Sequence, residues 1–166
     1  MRFFKPPLAP QPISCEIGSG SIDFQALLRE AVRSVNDIHA KAVDDLLALC
    51  SQLDAAVQGL SNGLLSIKIV EITDTPDGVA YEMRLHDKTD ALYNFHMYKV
   101  PVAGYPITYG TRGAGSKFSG FEAQCLNKIA LEQHFAQLLT DTQSPLVVQV
   151  SFAMRKATRC TWPQAA

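Results

Sequence analysis

Residues able to do acid–base chemistry occur on two neighbouring segments that alternate polar and apolar residues. Glu82 and Arg84 occupy polar positions of the first segment, and His96 occupies a polar position of the second. If the segments pair as strands across the turn at residues 87–90, an imidazole, a carboxylate and a guanidinium would share one sheet face. The pattern predicts a candidate catalytic centre, although the solvent-facing side of a sheet usually carries the same residue types.

A second group of candidate residues lies in residues 104–120, within a stretch that is rich in glycine and reads as a long loop. Arg112 and Lys117 could bind an anion such as phosphate near the start of the following helix. Tyr105 and Tyr109 could stack on the bases of a single-stranded nucleic acid. The order Gly-Ser-Lys at residues 115–117 departs from a Walker A loop. A contact with another protein, or a surface loop without a ligand, explains the same composition.

The sequence does not predict a metal site or a cofactor site. No two of the four cysteines form a C-x-x-C pair, and their spacing does not suggest a zinc knuckle. We therefore expect no metal and no cofactor, and reduced thiols in a cytoplasmic protein. The cysteines are Cys15, Cys50, Cys125 and Cys160.

The composition indicates a globular protein with one main domain. Its 166 residues are 47% apolar and 19% charged, which allows a sizeable core. The net charge of −1 indicates neither a nucleic-acid-binding protein nor an acidic mimic as a whole. The sequence has no run of about 18 apolar residues, which is the length that would predict a membrane span. We divide the chain into a Pro/Gly-rich extended arm at 1–20, a single α+β domain at 21–155 and a basic C-terminal tail at 156–166.

Residues 22–60 are predicted to form one long amphipathic helix. Apolar residues recur in steps of three and four, which keeps one helix face apolar. A straight helix of this length spans roughly 58 Å, whereas a compact chain of this size is roughly 40 Å across. The helix should therefore extend beyond its own domain, and its apolar face predicts a homodimer. A break near residues 36–37, folding both halves onto one core, is the alternative.

The rest of the chain predicts an antiparallel β-meander of three strands, a second helix at about residues 121–139 and a final strand at residues 146–152. In the final segment Leu146, Val148, Val150 and Phe152 alternate with other residues. The predicted fold is α+β with the order α-β-β-β-α-β.

Three functions are compatible with these patterns. The first is a small cytoplasmic, non-enzymatic binding or adaptor protein that self-associates through its long helix and that could also bind another protein. The second is a module that binds nucleic acid or phosphate through residues 104–120. The third is a small enzyme with a site on the sheet around His96, Glu82 and Arg84.

Overall fold

A computed structural model of the chain describes residues 22–88, 90–111 and 120–160, with side chains through residue 156. The predicted arm at 1–20, the residues Arg112 and Lys117, and most of the predicted tail lie outside the described residues. The elements follow one another as α1 (Phe24–Leu60), β1 (Ser66–Thr75), β2 (Gly78–His86), β3 (Ala91–Pro101), β4 (Ile107–Thr111), β5 (Ala123–Cys125), α2 (Lys128–Thr140) and α3 (Pro145–Cys160).

Helix α1 is one continuous helix of 37 residues, so the predicted alternative of a break near residues 36–37 is not observed. The Asp23 carboxylate caps its first turn by accepting a hydrogen bond from the Ala26 backbone N–H at 3.0 Å. The helix ends at Leu60, and Asn62 and Gly63, which follow the cap residue Ser61, both have positive φ. The Ser61 hydroxyl at this end donates to the Val57 carbonyl.

The five strands form one antiparallel sheet in chain order, which confirms the predicted α+β class and extends the meander by two strands. Residues 107–111 form β4, although they were expected to belong to a loop. Residues 123–125 form β5, so the second helix begins at Lys128 and not near residue 121. Asn127 caps that helix by accepting from the Ala130 backbone N–H at 2.9 Å.

A bulge in β3 changes which residues face the core. Arg84 pairs with Asn94 and the next pair is Met83 with His96, so Phe95 has no partner of its own. The alternation of side chains shifts by one residue at this point. His96 and the residues two and four further along therefore enter the core, and His96 is only 4% exposed. The expectation that His96 lies on a polar sheet face is wrong for this reason.

The core lies between one face of the sheet and the three helices. The second half of α1 crosses the sheet at β1 and β3, α2 packs beside α1 and β5, and α3 packs on α2 and β3. The sheet and all three helices contribute side chains to the centre of the core. These are Leu46, Leu53, Met83, Leu85, Phe95, Tyr98, Val100, Ile107, Leu131 and Leu146.

Residues 146–152 are helical and do not form the expected final strand. Pro145 occupies the first helical position, where its missing N–H costs nothing, and the Ser144 carbonyl accepts from the Val148 backbone N–H. Leu146 and Val150, four residues apart, are buried, whereas Phe152 is 57% exposed. Leu146, Val150 and Met154 recur every four residues on the side of the helix that packs against the core, and Val148 and Phe152 lie on the exposed side. Helix α3 continues to Cys160, past the predicted domain boundary at residue 155.

Helix α1 leaves the body of the protein beside the turn between β3 and β4. Gly104 lies in this turn at φ +83°, and a Cβ atom built on it would be 2.9 Å from the Ile38 carbonyl oxygen. His39 donates from Nδ1 to the Pro101 carbonyl oxygen at 2.9 Å. These contacts lie at the N-terminal limit of the part of α1 that packs against the sheet.

Replacement of one leucine in each half of α1 tests this division. Leu46→Ala removes a side chain with no exposed surface and should lower the free energy of unfolding by about 2–5 kcal/mol. Leu28→Ala should change it by less than about 0.5 kcal/mol in dilute protein, because Leu28 is 66% exposed. Urea unfolding followed by circular dichroism measures both, and equal losses would contradict the described packing.

Gly104→Ala tests the close approach of the turn to α1. We expect a loss of about 1–3 kcal/mol, since alanine is strained at this φ and its Cβ would meet the Ile38 carbonyl. Gly59→Ala is the matched control, because Gly59 is helical and no atom lies within 4 Å of its added Cβ. It should leave stability unchanged or raise it by about 0.5–1 kcal/mol. Thermal unfolding of both variants distinguishes the two effects; a neutral Gly104→Ala would contradict the geometry.

Candidate functional site

The three residues of the predicted acid–base centre do not share one sheet face. His96 pairs with Met83 across β2 and β3, and Glu82 pairs with Met97, so adjacent positions place His96 and Glu82 on opposite faces. Glu82 and Arg84 lie together, and the carboxylate accepts from Arg84 Nε at 2.7 Å and pairs with Nη2 at 2.6 Å. The structure therefore brings the carboxylate to the guanidinium and separates both from the imidazole.

His96 instead belongs to a buried cluster with Tyr98, Tyr109 and His134. Tyr98 Oη and His134 Nε2 are 3.1 Å apart and share a hydrogen bond. The His134 ring stacks on Tyr109 with the ring centroids 3.9 Å apart, and it lies 5.4 Å from the His96 ring. Strand β3 supplies His96 and Tyr98, β4 supplies Tyr109, and α2 supplies His134.

Sequence reasoning did not connect His134 with this cluster. His134 lies on the same side of α2 as Leu131, Phe135 and Leu138, which are all buried. Its place within this apolar pattern is the signal that could have predicted its burial. For His96 the signal is weaker: Lys99 lies between the apolar Tyr98 and Val100, so the alternation after the bulge places position 96 on the apolar side.

The cluster is electrically neutral at physiological pH. Burial lowers the pKa of His96 to about 4, and burial together with the nearby His96 lowers the pKa of His134 to about 4. Burial also raises the pKa of the Cys50 thiol to about 12 and that of Cys125 to about 11. Neutral imidazoles and protonated thiols therefore act as polar packing groups here.

The two described tyrosines of the predicted anion or nucleic-acid site make contacts within the fold. Tyr105 donates to Asp45 Oδ2 at 3.1 Å, and Lys128 Nζ lies 3.2 Å from Asp45 Oδ1. Burial, followed by the Asp45 carboxylate, raises the pKa of Tyr105. One face of the Tyr109 ring is covered by His134. Arg112 and Lys117, the cations of this predicted site, lie outside the described residues.

The most prominent surface feature is an apolar band on the N-terminal half of α1, which we name the overhang stripe. Its members are between 41% and 75% exposed. They cover about 21 Å of helix from residue 24 to residue 38. The overhang stripe consists of Phe24, Leu27, Leu28, Val32, Val35 and Ile38.

The overhang stripe points in the same direction as the part of α1 that contacts the sheet. Eighteen residues make about five complete turns of an α-helix, so residues at this spacing point the same way. Leu28 and Leu46 are one such pair, and so are Val35 and Leu53. Leu46 and Leu53 are buried, whereas Leu28 and Val35 are exposed. The sheet covers the second half of this face and no described residue covers the first half.

Comparison with known proteins does not add a function. The chain matches no protein-family model, no curated protein and no solved structure. Within the described residues no group of three His, Cys, Asp or Glu side chains could hold a metal ion. No helix in this part of the chain combines the length and the apolar character needed to cross a membrane.

The buried imidazoles predict loss of stability in acid. In the unfolded chain a histidine takes up a proton below about pH 6.5, but His96 and His134 resist protonation in the fold until about pH 4. The contribution of these two residues to the free energy of unfolding is complete above pH 6.5. It falls as the pH drops from 6.5 to 4, by up to about 3 kcal/mol for each residue.

Urea unfolding of the native sequence and of His96→Phe between pH 8 and pH 4.5 measures this effect. The variant should lose less stability across this range, because it lacks one of the buried imidazoles that become protonated on unfolding. The difference between the two proteins at pH 8, where both imidazoles are neutral, provides the baseline. Parallel pH profiles would show that His96 does not contribute.

Proposed function

We propose that the protein is a small non-enzymatic binding protein that forms a homodimer through the overhang stripe. The observation that carries this proposal is the exposure of six large apolar side chains on one side of a helix whose other half is buried on the same side. Exposed apolar bands of this size are typical of interaction surfaces. The proposed partner is a second copy of the chain.

Burial of the overhang stripe provides a driving force for association. Covering the remaining exposed part of each side chain contributes on the order of 1 kcal/mol. Two copies with six such side chains each therefore gain on the order of 12 kcal/mol. This gain is of the same order as the roughly 4–15 kcal/mol lost in translational and rotational freedom, so we expect a dimer that depends on concentration.

The spacing of the apolar residues supports pairing of the stripe with itself. Between Phe24 and Ile38 apolar residues recur in steps of four, three, four and three, which is the pattern of a coiled-coil seam. Arg29, Arg33 and Asp37 lie off this seam and remain in solvent. The seam of one copy can pair with the same seam of a second copy, as in a two-fold symmetric dimer.

An antiparallel arrangement suits the position of the stripe. The sheet of each copy lies at the C-terminal end of α1, so antiparallel helices place the two bodies at opposite ends of the pair. In this arrangement Phe24 of one copy lies beside the partner's Ile38. In a parallel arrangement the sheets of both copies would lie at the same end of the helix pair and would compete for the same space beside α1.

A binding role is favoured over catalysis by the state of the candidate catalytic residues. His96 is neutral and buried, and the Glu82 carboxylate is held by Arg84 on the other sheet face. We also propose that the protein resides in a reducing compartment such as the cytoplasm. Two buried free thiols, Cys50 and Cys125, support this location.

Sedimentation velocity at about 50 µM tests the dimer. The native sequence should sediment as a dimer, and Leu28→Glu should be a monomer because it places a carboxylate in the seam. Ala26→Glu is the matched control: it adds the same charge two residues away, on the opposite side of the helix, and should remain dimeric. Circular dichroism checks that both variants keep their helices. A monomeric native protein, or a dimer that tolerates Leu28→Glu, would overturn the proposal.

A further inference from the structure

An apolar groove of about 710 Å³ lies at the end of α1 opposite to the overhang stripe. The last turns of α1 and α2 form one wall, and the first three turns of α3 form the other. The large apolar side chains of Leu60 and Leu139 lie at the edge of the groove and are exposed. Its apolar lining includes Ala56, Val57, Leu60, Leu139, Leu146 and Val150.

The polar groups of the groove are confined to α3. Ser151 and Arg155 both line it and are four residues apart, so they lie on the same side of that helix, one turn from each other. None of the described residues that line the groove is acidic. Arg155 is exposed and forms no ion pair with a described residue. An apolar groove with an unpaired cation on one side is complementary to a molecule that has an apolar part and an anionic end.

The size of the groove indicates which kind of molecule fits. Sites for small organic molecules range from about 300 to 1,000 Å³ and are mostly apolar with a few polar groups. The groove, with a volume of about 710 Å³ and an apolar lining, agrees with this description.

We propose that the groove binds a single-chain fatty carboxylate, with the acyl chain along the apolar walls and the carboxylate beside Arg155. Ser151 supplies a hydroxyl donor one turn away from the guanidinium. This site is independent of the overhang stripe, because it uses the opposite end of α1 and other helices. Loss of the dimer would not affect it, and loss of the site would not affect the dimer.

Binding of cis-parinarate, a fluorescent fatty carboxylate, and its displacement by palmitate test the proposal directly. The native protein should bind the probe, and palmitate should displace it. Ala56→Trp places an indole in the groove and should weaken binding at least tenfold. Ala55→Trp is the matched control, since Ala55 is exposed on the same helix turn and does not line the groove; it should bind as the native protein does. Ser151→Trp provides a second blocking variant from the other wall.

The cation is tested separately from the apolar walls. Arg155→Gln keeps a polar side chain and removes the charge, and it should weaken palmitate about fivefold, as expected for an exposed ion pair. Lys156→Gln removes the adjacent charge, which does not line this groove, and should have no effect. Hexadecanol has the same chain without the carboxylate, and its binding should not respond to Arg155→Gln.

Several results would overturn the proposal. These are absence of probe binding to the native protein, equal binding by Ala56→Trp and Ala55→Trp, or equal affinity for palmitate and hexadecanol. Sedimentation of Ala56→Trp addresses another occupant: a change in oligomeric state would show that the groove receives a second copy of the chain. Failure of the fatty-carboxylate site leaves the sedimentation test of the overhang stripe unaffected.

Discussion

Leu46 has no exposed surface and lies where the second half of α1 contacts the sheet. The other elements are arranged around this contact. The sheet offers α1 one continuous apolar face, α2 packs beside it, and α3 is seated on the body by Leu146 and Val150. The sheet is shorter than the helix it supports. Covering one half of α1 therefore leaves the other half exposed, and both the core and the overhang stripe follow from this difference in length.

Periodicity in the sequence was sufficient for the parts of the fold that repeat regularly. The alternation of three- and four-residue steps predicted α1, and the alternation of apolar residues predicted β1 to β3. The predicted overhang of α1 required only the helix length and the size expected of a compact chain. These inferences succeed because local geometry sets the pattern, and tertiary contacts do not alter it.

The candidate site was less accessible to sequence reasoning. A single extra residue, Phe95, moves His96 from the expected polar face into the core, and the trace of this shift in the sequence is the short segment Tyr98-Lys99-Val100. In residues 146–154 the alternation of Leu146, Val148, Val150 and Phe152 fits a strand, whereas the four-residue spacing of Leu146, Val150 and Met154 fits a helix. The choice depends on what lies next to them, namely α2 and the end of α1. The groove beside α3 could not be predicted, because it forms only where α2 and α3 meet the end of α1, which is distant from them in the sequence.

Leu28 and Leu46 are 18 residues apart and therefore point to the same side of α1. This spacing sets the direction in which the overhang stripe faces relative to the sheet. Insertion of one residue in the exposed half of α1 would turn everything before it by about 100° and direct Phe24 away from its present side. Insertion of seven residues would turn it by only about 20° and lengthen the overhang by about 10 Å. The length of this helix can therefore change in steps of about seven residues while its direction of contact is kept, and single-residue changes in length would redirect it.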